Sequence, residues 1–136
     1  MTTTSQPAKH LSLLRTFALA TALLTVGQAV LGLLLLFTDI DLYDVHGWIG
    51  YAAFVTAVAA AIGAFLWKKV SGNTGLFMHA LGLAVLALLQ IGLAEMGLKW
   101  VHVVLGVLIL GAALALASLA QRKPGAPLEQ RTDVRA

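Results

Sequence analysis

Four stretches of the chain, residues 11–37, 46–67, 75–94 and 100–120, are apolar almost throughout. Each reaches the roughly 20 residues that a helix needs to cross a bilayer. None contains a proline, and all are rich in Leu and Ala, which favours helices over barrel strands. With 60% of its 136 residues hydrophobic and 11% charged, the chain has no means of hiding this surface from water in a core of its own. The expected fold is an all-α integral membrane protein of four transmembrane helices. The first stretch is much longer than the core of a signal peptide, so it is expected to remain as the first helix. The absence of cysteine excludes disulfides, thiolate ligands and a cysteine nucleophile.

The connections, residues 38–45, 68–74 and 95–99, are short, which predicts antiparallel neighbours and an up-down-up-down bundle over residues 1–120. Charge then sets its orientation. With alternating helices, every basic residue except Lys99 falls on one side, and Asp39, Asp41, Asp44 and Glu95 join Lys99 on the other. The positive-inside rule puts both termini in the cytoplasm, with the cell membrane as the expected location. The net charge of +3 therefore reflects membrane topology, and no nucleic-acid partner is expected. Residues 121–136, basic and containing Pro124, Gly125 and Pro127, read as a disordered cytoplasmic tail.

Within this frame the polar residues repeat. Gln28, an acidic loop and His46 in the first half correspond to Gln90, a short loop and His102 in the second; each histidine has a glycine one turn later, Gly50 and Gly106. Both histidines fall at the outer end of the bundle, on the second and fourth helices, which run in the same direction and occupy one diagonal. His46, Gly50, Ala53, Ala57, Ala61 and Ala64 trace one nearly all-small face. His102, Gly106, Ile109, Ala113 and Ala117 trace the equivalent face.

Two neutral imidazoles facing each other, each above a glycine, suit the axial positions of a haem iron, and the small residues leave room for a flat apolar plate. Lys99 is the cation available to its propionates. The alternative is a pair of interfacial histidines at headgroup level beside Trp48 and Trp100. Zinc fits less well, since only loop carboxylates would complete its ligand set. His79 begins the third helix at the opposite end, about 20 Å away by helical rise, where only His10 is near enough to join it. It reads as an interfacial or core-bonded residue, a second haem with His10 being the other reading. Gln28 and Gln90 lie within the spans, where an amide must find a partner: they bond between helices or line the cofactor pocket.

These residues, in this order, resemble one four-helix half of the haem A synthase family, membrane enzymes that oxidise haem O to haem A. Gln28-Ala29-Val30-Leu31-Gly32 is similar to the family's first-helix pattern and Gln90 followed by glycine to its third-helix pattern. The resemblance implies haem ligation by His46 at the start of the second helix and His102 at the start of the fourth. It covers about residues 20–118. The family's Glu-x-x-His-Arg motif is not kept: Tyr43 stands at the glutamate position and Gly47 at the arginine position, with Asp44 out of register. The cysteine pair of many members is also missing, so the match extends to the cofactor site and leaves the oxidising chemistry without its glutamate.

The expected function is that of a small b-type cytochrome holding one haem b near the outer face and moving electrons. A half-length haem A synthase-like enzyme is the first alternative, with a homodimer supplying a second site. A haem-free accessory subunit of a larger, respiratory membrane complex is the other.

Overall fold

The computed structural model of this chain describes residues 6–133, and Arg135, counted above with the basic side, lies outside them. Four long helices account for most of it: α1 (Gln6–Phe37), α2 (Tyr43–Ser71), α3 (Thr74–Glu95) and α4 (Lys99–Arg122). All four are long and apolar enough to cross a membrane. A short helix, α5 (Leu128–Asp133), follows.

The helix ends follow local chemistry. Pro7 sits in the first turn of α1, where its missing N–H removes no helical bond. α2 stops at Gly72, whose φ of 72° is left-handed and whose N–H donates to the Lys68 carbonyl. α3 starts under Asn73, whose side chain accepts from the Leu76 N–H at 3.0 Å.

α1 packs on α2, α2 on α3 and α3 on α4, and α4 closes the ring against α1. The tightest crossing is between α1 and α2. A Cβ added at Gly63 would lie 2.8 Å from the Leu14 backbone nitrogen, so only glycine permits this approach. Two turns further along, the Thr21 and Thr56 hydroxyls meet at 3.0 Å. At the end of α4, Arg15 donates from Nε to the Ala120 carbonyl at 3.0 Å and from Nη2 to that of Gln121 at 3.3 Å. A cation there meets both the unpaired carbonyls and the negative end of the helix dipole.

The core is small and one-sided. Leu14, Ala18, Thr21, Ala22 and Thr25 of α1 are buried, with Ala53 through Ser71 positions of α2, Leu76 to Ala84 positions of α3, and Ile109, Ala113, Leu116 and Ala120 of α4. Of the inward faces expected, Ala53, Ala57, Ala61 and Ala64 of α2 and Ile109 and Ala113 of α4 are buried, and Ala117 is only partly so. From residue 26 of α1, up to residue 52 of α2, from residue 85 of α3 and up to residue 108 of α4, no described residue is fully buried. The fully buried core therefore lies toward the Arg15 end and stops short of the histidines.

The tail read from Gln121 begins inside α4, which continues to Arg122. Beyond it the Pro124 carbonyl accepts from Trp67 Nε1 at 2.8 Å and from Asn73 Nδ2 at 3.0 Å. These bonds tie the chain after α4 to the α2–α3 turn.

Candidate functional site

His46 lies in the first turn of α2 and His102 in the first turn of α4. Although their helices are not sequence neighbours, the rings meet edge-on, with centres 6.0 Å apart and planes at 63°. The pairing expected across the diagonal is thus present. Neither histidine is fully exposed or fully buried.

Each ring is placed by a clasp that occurs twice. Gln28 of α1 donates from Nε2 to the His46 carbonyl. Gln90 of α3 donates from Nε2 to the His102 carbonyl at 2.8 Å. For the glutamine to reach that carbonyl it must cross the helix one turn deeper, where Gly50 and Gly106 stand. A Cβ on Gly50 would lie 2.9 Å from Gln28 Nε2, and one on Gly106 2.9 Å from Gln90 Nε2. The faint repeat in the sequence is therefore a repeated piece of geometry, in which glutamine, histidine backbone and glycine form one unit. The glycines had been expected to present a flat surface to a porphyrin; the space beside them is taken by glutamine amides instead. Gly32 of α1 lies beside the His46 ring, where a notional Cβ would stand 3.7 Å from Cε1.

The rings themselves are held differently. His102 Nδ1 lies 3.0 Å from the Gln90 backbone oxygen. His46 Nδ1 is buried with no partner, as are Gln28 Oε1 and Gln90 Oε1. Buried polar atoms without partners are rare, and three gather at this one site. His79 is separate: its Nε2 lies 2.8 Å from the Ala112 carbonyl of α4, the core-bonded reading rather than a ligand's posture. His10 Nδ1 is buried without a partner near the start of α1.

Chemically, two imidazoles alone make an incomplete ligand set. No group of three or more His, Cys, Asp or Glu able to hold a metal occurs among the described residues. A metal bound firmly here must bring its other donors, as iron in a porphyrin does. An imidazole nitrogen bonds a metal at about 2 Å, and with the depth of each ring, about 1 Å, two rings on opposite sides of one iron stand roughly 6 Å apart, centre to centre. The 6.0 Å spacing of His46 and His102 fits.

The Gln90 main-chain acceptor had no signal in the sequence, because every residue carries a carbonyl. The Gln-to-glycine contacts did have one, in the Gln…His-x-x-x-Gly order that both halves share. Comparison with protein-family models, with curated proteins and with solved structures finds no match to this chain.

Proposed function

We propose that the chain is a small membrane cytochrome, holding one b-type haem between His46 and His102 and passing electrons near the outer face of the cell membrane. The observation that carries this reading is the pair of imidazoles with centres 6.0 Å apart, at the end of the helices where no residue is fully buried. The resemblance to one half of the haem A synthase family supports it, through Gln28, His46, Gln90 and His102.

The arrangement in the bilayer belongs to the same proposal. Along α1, Leu14, Thr21 and Gln28 meet Gly63, Thr56 and His46 of α2 in turn, the numbers rising on one helix as they fall on the other. With the short connections, this supports an antiparallel, up-down-up-down bundle whose basic Arg15 end faces the cytoplasm.

Haem supplies a reversible one-electron change at iron. His46 and His102 would hold the haem through one imidazole nitrogen each, and a haem held by two protein ligands would supply electron transfer rather than oxygenation. Gln28 and Gln90 fix the first turns of α2 and α4 and so the depth of both rings.

The test is pigment. Protein purified in mild detergent from haem-replete cells is expected to carry one haem per chain, measured as its pyridine complex, with sharp alpha and beta bands on reduction. A colourless protein that takes up no added haemin would instead support the haem-free accessory subunit.

A further inference from the structure

The main-chain parts of the two clasps match, but the rings they hold do not. A backbone carbonyl only accepts, so the 3.0 Å contact with Gln90 puts the proton of neutral His102 on Nδ1 and leaves the lone pair on Nε2. That is the tautomer in which Nε2 binds a metal. The acceptor also stops the ring from turning and makes Nε2 more basic. His46 has neither advantage, its Nδ1 being buried without a partner. Losing such a partner weakens metal binding by about 10–100-fold.

We infer that His102 is the anchored ligand of this site and His46 the displaceable one, so that a small neutral ligand such as carbon monoxide replaces His46 on the reduced haem. The inference rests on the haem reading above. The exchange is a substitution: His46 Nε2 leaves with its electron pair, carbon monoxide donates the pair that replaces it, and no electron or proton is transferred.

The experiment is a carbon monoxide titration of the dithionite-reduced, haem-loaded, full-length protein, followed by its Soret band and by imidazole nitrogen NMR. The wild-type chain is expected to bind carbon monoxide, with a rate that levels off at high concentration because His46 must leave first. In that complex His46 should give the signals of a free imidazole and His102 those of a coordinated one. His46→Ala should keep haem, bind carbon monoxide more tightly than wild type, and bind it at a rate that no longer levels off at high concentration. His102→Ala should hold haem more weakly than His46→Ala. A low-spin protein that refuses carbon monoxide, or that releases His102 to accept it, overturns the inference and leaves the haem reading standing. A chain that takes up no haem overturns both. The wild-type titration decides the matter should either variant fail to fold.

Discussion

Gly50 and Gly106 show how much a single missing Cβ decides at this site. Each admits a glutamine amide that would otherwise collide with the helix, and the amide then reaches the carbonyl of the histidine one turn earlier. Replacing Gly50 by alanine should therefore displace Gln28, weakening the bundle by about 1 kcal/mol, the scale of one interhelical bond in lipid. Gln28→Ala should weaken it similarly, and the double variant should fall short of the sum, because both changes break one contact. Thermal melts of the four proteins in detergent measure this; full additivity would mean that Gly50 and Gln28 act independently. The polar residues of the site were legible in the sequence, because Gln, His and Gly are conspicuous in Leu/Ala-rich spans. Their partners were not. A glycine advertises a close approach without saying what approaches, and the porphyrin surface first expected there is a surface for glutamine.

Between elements, the strongest constraint is the backbone contact of Gly63 with Leu14. Gly63→Ala would force α1 and α2 apart, and overpacking of this kind costs about 1–3 kcal/mol. The expected result is a clearly lower melting temperature with the haem spectrum unchanged, since Gly63 lies toward the Arg15 end, far along α2 from His46. His79→Ala should behave alike but more mildly, losing the bond to Ala112 and about 0.6 kcal/mol. The spans themselves were readable from hydropathy, and their edges less so. α1 begins at Gln6 and α2 at Tyr43, each ahead of its apolar stretch, because helical hydrogen bonding continues into polar flanks that hydropathy does not register. Nor did the sequence reveal that Arg15 caps α4 or that Trp67 and Asn73 hold Pro124, contacts between residues far apart along the chain.

For the molecule as a whole, the uneven burial is the central fact: one end is packed by Leu and Ala, and at the other, the histidine end, no described residue is fully buried. The proposed orientation puts the histidine end outside. A reporter active only in the cytoplasm should work after Ala136, and one active only outside should work near Asp41; the reverse pattern would move the histidines to the cytoplasmic face. The most direct measurement on the central claim is the reduced absorption spectrum of wild type beside His46→Ala, His102→Ala and His79→Ala. Sharp low-spin bands in wild type and His79→Ala, lost in both other variants, are what the haem site predicts. Low-spin bands that survive in His46→Ala and His102→Ala, or vanish in His79→Ala, would contradict it.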